Sequence, residues 1–256
     1  TKASGGAVEV LLVHRAGVAD DGGERWQCFI RGKVRPGSVL FLGGIQATVA
    51  SCDDETGDRH LDFPAGCTVL ALAEAIGHIP LPPYIRREDR AEDRSRYQTV
   101  FADSVGSVAA PTASLHLTMD RLERIAGMGV DRAFVDLAIG PGTFKPVNTD
   151  RVEDYEIHAE HATCPAETIL AIAACRARGG RVIAVGTTVV RTLESAARQE
   201  GGLSAYAGWT RLFLHPPQRP QVVDALLTNF HLPRSSLLML VACFTGIERL
   251  QALYAE

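Results

Sequence analysis

Residues 181–196, RVIAVGTTVVRTLESA, constrain the fold of this chain more than any other segment. An apolar run ends at Gly186, and two threonines and a helical pattern follow it. A buried strand that passes through a Gly-Thr-Thr turn into a helix is typical of α/β proteins, and free backbone N–H groups at such a helix start can hold a polar ligand. Arg191 and Glu194 are three residues apart, so they share one face of the predicted helix. A purely structural unit, with Thr188 as the helix N-cap and the two charged residues as a surface pair, fits the pattern equally well.

The composition is that of a globular chain that can bury a core. Its 256 residues are 46% hydrophobic and 22% charged, which does not favour disorder. No apolar run reaches the roughly 18–20 residues that span a bilayer, and no signal-peptide pattern is present, so we expect a cytoplasmic protein with no membrane partner. The net charge of −4 does not indicate a general nucleic-acid binder. The six cysteines show no CxxC spacing, so we expect no structural zinc site.

The sequence pattern changes near residue 80 and predicts two domains. Short β-like runs separated by Gly, Asp and Pro predict a small β-barrel-like domain over residues 1–78. The proline-rich segment IPLPPYI at 79–85 is typical of a stiff connector. Beyond it, strands alternate with helices and predict an α/β domain over residues 79–256, with a mixed, largely parallel sheet. We expect the active site in this second domain.

Four polar clusters outside the 181–196 segment contain residues that could carry chemistry. A lone His is more often structural than catalytic, but a His and a carboxylate two residues apart on an extended segment point to the same side, which suits acid–base work. The candidates are Tyr97 and Gln98 in the first cluster, Pro111, Thr112 and His116 in the second, His158 and Glu160 in the third, and Asn229 and His231 in the fourth.

Several common kinds of site are disfavoured by spacing. The third cluster reads HAEH, which matches neither the HExxH zinc helix nor the HxE with a later PCxxC of zinc deaminases. We therefore expect no metal there. The chain has no GxSxG, P-loop or GxGxxG motif, which disfavours serine hydrolysis, phosphate-loop chemistry and dinucleotide binding.

Eight ordered motifs resemble those of one family, the S-adenosylmethionine:tRNA ribosyltransferase-isomerases of the queuosine pathway. The start of the chain, GGAVEVLL, is also similar to the start of that family's barrel. The motifs are LPPYI (81–85), RYQTVFA (96–102), GSVAAPTASLHLT (106–118), GPGTFKPV (140–147), IHAE (157–160), RVIAVGTTVVRTLESA (181–196), VVDALLTNFHLP (222–233) and SSLLMLVACFTG (235–246).

The resemblance implies a reaction and a set of partners. S-adenosylmethionine would donate its ribosyl part to a 7-aminomethyl-7-deazaguanine base in a tRNA anticodon, and the product would be epoxyqueuosine with release of adenine and methionine. It implies no metal or redox cofactor, and we expect a monomer. Since the sulfonium acidifies the C5′ hydrogens, a base must act there, and an acid or donor must assist the departure of adenine.

The resemblance also implies roles for individual residues. His116, His158 and His231 are the candidate acids and bases, with Glu160 to orient a His or to shift its pKa. Arg191 could grip the methionine carboxylate as a planar fork, and two threonines could hold ribose or carboxylate oxygens. The predicted substrate-binding residues are Tyr97, Gln98, Pro111, Thr112, Gly142, Thr143, Gly186, Thr187, Thr188, Arg191, Glu194 and Asn229.

The chain departs from the family pattern at several places. Ala138 and Tyr155 stand where the family commonly has histidines, PPQRPQ at 216–221 replaces an aromatic- and Gly-containing segment, and the family's first segment has no counterpart. We therefore expect a diverged or N-terminally truncated member. Two alternatives follow: a paralogue that uses S-adenosylmethionine with another acceptor or cleavage reaction, and an inactive binding protein.

Overall fold

Internal contacts divide the chain into two units. The computed structural model describes residues 1–2, 5–53, 57–82, 84–102, 107, 109–138, 147, 149–157 and 159–256. One unit comprises Thr1–Leu81 with Arg87–Asp89, and the other comprises Pro82–Arg86 with Arg90–Glu256. The expected functional division at residues 78 and 79 stays a prediction.

The N-terminal unit is an antiparallel sheet packed against one helix. Side chains alternate between the two faces of a strand, so one face of each strand can be apolar. These buried faces form a core that includes Trp26, Leu40, Leu61 and Phe63. The strands are β1 (Glu9–Val18), β2 (Glu24–Arg31), β3 (Val39–Leu42), β4 (Ile45–Cys52) and β5 (Arg59–Asp62), in the order β1-β2-β5-β4-β3, and the helix is α1 (Val69–Ile76).

The second unit combines short strands with helices, which makes the whole chain a mixed α/β protein with antiparallel sheets. The described part of this unit includes the 3-10 helices Thr112–His116 and Val152–Asp154 among its regular elements. The others are α2 (Asp93–Arg96), α3 (Met119–Gly127), β6 (Asp136–Ala138), β7 (Glu160–Cys164), α4 (Ala166–Ala177), β8 (Ile183–Val185), α5 (Thr187–Ala197), β9 (Tyr206–Thr210), β10 (Ala225–Leu227), α6 (Ser236–Thr245) and α7 (Ile247–Ala255).

The prediction of a largely parallel sheet is wrong for the described strands. Strands β6, β7 and β9 pair antiparallel in that order, and only β8 and β10 pair parallel. The alternation of strand and helix suggests β–α–β crossovers within one sheet. However, α4 leads from β7 to β8, which pairs in the other sheet.

Helix α5 is the centre of the second unit. Eight of its eleven residues are buried, among them Arg191 and Glu194. It packs against β6, β7, β8 and β9, so it spans both sheets. The interpretation of Arg191 and Glu194 as a surface ion pair is therefore wrong, because both side chains lie in the interior, where a charge needs a dedicated partner.

Glu194 fastens α5 to the segment that precedes β10. Its carboxylate is fully buried and accepts the backbone N–H of Gln221 at 2.9 and 2.8 Å, of Val222 at 2.9 Å and of Val223 at 3.2 Å. Arg198, one turn further along α5, donates to it from Nη1 at 2.6 Å. Bonds to an ionised acceptor are roughly twice as strong as neutral ones, so this carboxylate fixes the loop to the helix.

No single helix among the described residues is long and apolar enough to cross a bilayer. Helices α6 and α7 pass that test only when taken together, and they meet at a bend of 109°.

Replacing Glu194 with Gln tests this anchor. The amide removes the negative charge and turns one acceptor into a donor that faces N–H groups, so we expect the free energy of unfolding to fall by about 3 kcal/mol. Urea unfolding followed by circular dichroism measures it. Glu200→Gln, an exposed carboxylate just beyond the same helix, is the matched control. A loss below about 1 kcal/mol for Glu194→Gln would contradict the anchoring role.

Candidate active site

The Gly-Thr-Thr turn joins the end of β8 to the start of α5. Gly186 has φ 97° and ψ 147° as the residue before the helix, a backbone conformation that favours glycine. Its N–H donates to the carbonyl of Leu227 at 2.9 Å, which ties the turn to the end of β10. Helix α5 begins at Thr187, so the prediction that Thr188 is the N-cap is wrong. The residue before the helix, Gly186, supplies no side-chain cap.

A buried ion pair lies on α5 one turn beyond Thr187. The guanidinium of Arg191 donates from Nη1 to Glu160 Oε2, and the two side chains are 7% and 4% exposed. Glu160 is the first residue of β7, so the ion pair joins a strand to a helix. The two residues lie 31 positions apart in the sequence. Arg191 also donates from Nε to the carbonyl of Leu212 at 3.3 Å. The pair predicted from helical spacing, Arg191 with Glu194, does not form in the described structure, because each has another partner.

The Nη2 group of Arg191 differs from the other guanidinium nitrogens in its hydrogen bonding. It is buried and has no hydrogen-bond partner among the described residues. A planar grip on a carboxylate uses two guanidinium nitrogens, and either pair that contains Nη2 includes a nitrogen already engaged by Glu160 or Leu212. Nη2 is thus the guanidinium nitrogen without a partner among the described residues, and the full fork that the resemblance implies stays a prediction.

Tyr155, whose pKa responds to this guanidinium, belongs to a small aromatic cluster. The rings of Tyr155 and Phe213 meet edge to face with centroids 5.3 Å apart, and Phe213 lies 5.1 Å from His215. Burial raises the pKa of Tyr155, and the positive charge of Arg191 opposes that rise. Tyr155 is therefore close enough to feel the guanidinium charge. The sequence pattern marks Tyr155 only as a departure from the family and gives no motif signal for Phe213.

The second and fourth clusters meet although they are 113 residues apart in the chain. His116, the last residue of its 3-10 helix, lies with Nε2 2.7 Å from Asn229 Oδ1. An amide oxygen only accepts, so this contact requires a proton on Nε2 and leaves Nδ1 of a neutral ring as an acceptor. Arg121 donates from Nη1 to the backbone carbonyl of His116 and so holds the end of the 3-10 helix.

His231 lies half-buried in the loop between β10 and α6. Its Nε2 is 3.1 Å from Thr228 Oγ1, and its backbone N–H donates to the hydroxyl of Tyr254 at 2.8 Å. Burial lowers the pKa of its imidazole below the ordinary value of 6.5. A His held neutral at pH 7 can accept a proton, which is the property that a general base needs.

The remaining predicted site residues are less informative. Tyr97 follows α2, and burial raises its pKa to about 12, against a smaller opposing effect of the Ala110 backbone. Gln98 Oε1 accepts a local hydrogen bond from the backbone N–H of Thr99 at 3.1 Å. Pro111 precedes the 3-10 helix that Thr112 begins. His158, Gly142 and Thr143 lie outside the described residues. Glu194 has its carboxylate occupied by the 221–223 amides, so its position does not support substrate contact.

Comparisons with known proteins identify the family. The model of the family described as "Queuosine biosynthesis protein" matches residues 1–256. The S-adenosylmethionine:tRNA ribosyltransferase-isomerase of Acidithiobacillus ferrooxidans is 51% identical over 255 residues, which are 99% of this chain and 72% of that protein. The chain belongs to the queuosine biosynthesis family. The predicted membership is thereby confirmed.

Two further relatives extend this comparison. The enzyme of the same name from Pelobacter propionicus is 46% identical over 257 residues, covering 100% of this chain and 74% of its own. The crystal structure of S-adenosylmethionine tRNA ribosyltransferase from Thermotoga maritima is 31% identical, with a TM-score of 0.46, and the match covers 99% of this chain and 70% of that one.

One departure from the family pattern can be placed in the structure. Ala138 ends β6 and lies directly across from His161 on β7. Residues directly opposite in an antiparallel pair share a face of the sheet. His161 in turn meets the ring of Trp209 edge to face at 5.6 Å. His161 therefore places an imidazole on the same face of the sheet as Ala138.

Among the described residues, no group of three or more His, Cys, Asp or Glu side chains is arranged to hold a metal ion.

The lowered pKa of His231 predicts a pH-dependent contribution to stability. Because folding lowers this pKa, the unfolded chain takes up the proton first as the pH falls. The contribution is present above pH 6.5 and is lost as the pH falls through the folded pKa. We therefore expect the free energy of unfolding to fall less steeply below pH 6.5 in His231→Gln than in the parent. Denaturant unfolding of both at several pH values measures the difference. Parallel curves would contradict it.

Proposed function

We propose that this chain transfers and isomerises the ribosyl moiety of S-adenosylmethionine onto a 7-aminomethyl-7-deazaguanine base in a tRNA anticodon. The products are epoxyqueuosine in the tRNA, adenine and methionine. The observation that carries the proposal is the buried Arg191–Glu160 pair, with one donor group left over, next to the Gly-Thr-Thr turn of a family member whose relatives carry this enzyme name.

His231 suits the first proton transfer. The positive sulfonium acidifies the adjacent C5′ hydrogens, and a neutral imidazole can remove one at neutral pH. Burial favours the neutral form of His231. His116, with its Nε2 proton directed at Asn229, is the better candidate to hold or return a proton. His158 stays a prediction for either role.

Arg191 suits a single acceptor atom of the donor substrate. Its Nη2 donates one or two hydrogen bonds, while Glu160 and the Leu212 carbonyl hold the rest of the guanidinium in place. The Tyr155 and Phe213 rings beside it suit a planar, weakly polar ligand group. Thr187 and Thr188 stay candidates for ribose or carboxylate oxygens.

We further propose that the reaction needs no resident metal or redox cofactor. Every step is a proton transfer, a nucleophilic displacement or a rearrangement, which side chains and the sulfonium leaving group support. The protein acts in the cytoplasm, as a monomer, on a tRNA partner and without a membrane partner.

The N-terminal unit is proposed to close into a small barrel. Its sheet order leaves β1 and β3 at the two edges. Lys2 forms a bridge with Leu40 of β3, and the N–H of Phe41 donates to the carbonyl of Thr1 at 2.7 Å. The segment that leads into β1 thus pairs with the opposite edge, which supports closure.

Labelled donor and tRNA test the proposed reaction. We expect label from the ribosyl part in tRNA that carries the 7-aminomethyl-7-deazaguanine base, and free adenine in equal amount. Adenine release without label in tRNA would favour the diverged paralogue, for which Ala138 is the motivating observation. Binding of the donor without adenine release would favour the inactive binding protein.

The substitution Arg191→Lys separates the effect of the ion pair with Glu160 from the effect of the Nη2 donor. Lysine keeps a positive charge for Glu160 but cannot present the fixed set of guanidinium donors. We expect adenine release to fall about 10- to 100-fold, the loss of one hydrogen bond in a buried charged site. Steady-state kinetics measure it, with Arg249→Lys on the exposed side of α7 as the control. Unchanged adenine release in Arg191→Lys would contradict the assignment.

A further inference from the structure

Two consecutive residues in the loop between β10 and α6 each contact one of the candidate histidines. Thr228 Oγ1 lies 3.1 Å from Nε2 of His231, three residues further along the same loop. Asn229 Oδ1 lies 2.7 Å from Nε2 of His116, which is 113 residues earlier in the chain. The loop thus engages the same ring nitrogen, Nε2, of both histidines.

The backbone of this loop is anchored at its start and in its middle. The residue before the loop, Leu227, accepts at its carbonyl the N–H of Gly186 in the Gly-Thr-Thr turn, at 2.9 Å. Further along, the hydroxyl of Tyr254 accepts the N–H of His231 at 2.8 Å. Contacts between distant elements therefore fix the backbone on either side of Thr228 and Asn229. A side chain on an anchored backbone can be held to the tolerance that proton transfer needs.

The end of the loop is also constrained. Arg234 has φ 55°, in the left-handed region that non-glycine residues rarely adopt. Such a conformation persists only where the surrounding structure determines it, and it is found preferentially at functional sites. Here the carbonyl of Arg234 accepts the N–H of Val147 at 2.8 Å, and the hydroxyl of Ser235 donates to the carbonyl of Leu232 at 2.8 Å.

The hydrogen bond made at Nε2 determines which nitrogen of a neutral imidazole carries the proton. The amide oxygen of Asn229 only accepts, so the proton of a neutral His116 is on Nε2. The hydroxyl of Thr228 can donate or accept. If it donated, the proton of a neutral His231 would be on Nδ1, and the ring would have no lone pair left for a substrate. If it accepts, the proton is on Nε2 and Nδ1 keeps its lone pair.

We infer that Thr228 and Asn229 are positioning residues for the two histidines: each holds its ring with the proton on Nε2 and presents Nδ1 to the substrate. This inference rests on the proposed function, in which His231 removes a C5′ proton. In that step Nδ1 takes the proton, and the electron pair of the C–H bond stays on the carbon. The imidazolium still donates from Nε2 to Thr228, and a charged donor makes the stronger bond. The contact therefore favours the ring after proton transfer as well as before it.

Burial and the Thr228 contact meet two separate requirements of a base. Burial lowers the pKa of His231 and so favours its neutral form. A neutral ring is a base only at the nitrogen that carries no proton, and burial does not select that nitrogen. The Thr228 hydroxyl, placed by the anchored loop, makes that selection.

The first test observes the proton positions directly. Long-range ¹H–¹⁵N correlation spectra of the parent protein, labelled with ¹⁵N-histidine, distinguish a protonated ring nitrogen from one with a lone pair. The variants His116→Gln and His231→Gln assign the two rings among the eight histidines of the chain. At a pH where the rings are neutral, we expect the proton on Nε2 of both. A proton on Nδ1 of either ring overturns the inference.

The second test removes and restores the hydroxyl of residue 228. In Thr228→Val, kcat for adenine release should fall about tenfold, part of what general acid–base catalysis contributes. The KM for S-adenosylmethionine should change less than about twofold, because Thr228 acts through His231. Thr228→Ser keeps a hydroxyl and should restore most of the rate. Thr245→Val is the matched control, since that hydroxyl donates to the Val241 carbonyl within α6.

The same comparison applies to residue 229. Asn229→Ala should lower kcat for adenine release by about tenfold with little change in KM. Asn229→Asp keeps an oxygen that accepts from Nε2 of His116, so it should recover most of that loss. Urea unfolding of each variant, followed by circular dichroism, checks that the fold persists.

The outcomes separate this inference from the proposed function. Parental kcat in Thr228→Val, or equal losses in Thr228→Val and Thr228→Ser, overturns the role of the hydroxyl. A higher KM with unchanged kcat in Asn229→Ala would indicate direct substrate binding and overturns the positioning role. If both rings carry the proton on Nε2 but the parent releases no adenine, the proposed reaction fails while the orientation of the two rings stands.

Discussion

The burial of charged side chains on α5 is the constraint on which the second unit depends. A charge in the interior is tolerated only with a partner and hydrogen bonds. Arg191 takes Glu160 from the start of β7, and Glu194 takes the amides of residues 221–223 together with Arg198. Apart from Arg198 on the helix itself, these partners come from two separate stretches of chain, so the helix cannot stay buried unless both are in register. The same requirement places β7 and the approach to β10 around the Gly-Thr-Thr turn.

The two buried acids therefore have different roles although both pair with arginines. Glu194 has both oxygens surrounded by N–H donors from the chain itself, which makes it a structural clamp. Glu160 holds a guanidinium that keeps one donor group without a partner in the described structure. An unsatisfied buried donor costs about 1–3 kcal/mol. Under the proposed function, an atom of the donor substrate supplies the acceptor that Nη2 lacks among the described residues.

Local structure was largely predictable, and the pairing of distant residues was not. The apolar run and the glycine before α5 follow from periodicity and backbone preference, and the strand and helix are present. Helical spacing pointed from Arg191 to Glu194, whereas the true partner, Glu160, is 31 residues away and leaves no trace in local pattern. The prediction of strand direction failed for a similar reason. The alternation of strands and helices along the chain does not determine which sheet a strand joins. The His116–Asn229 contact joins two motifs that the sequence predicts as site residues. Neither motif carries a signal that the two lie close together.

Charge balance explains how this site could accommodate a positively charged ligand. An isolated guanidinium about 4 Å from a sulfonium would repel it by about 4 kcal/mol at an effective dielectric constant of 20. Glu160 cancels the net charge of Arg191, so the guanidinium can act as a donor without excluding the positively charged substrate proposed for this chain. The lowered pKa of His231 has the same consequence, because a neutral imidazole adds no second cation.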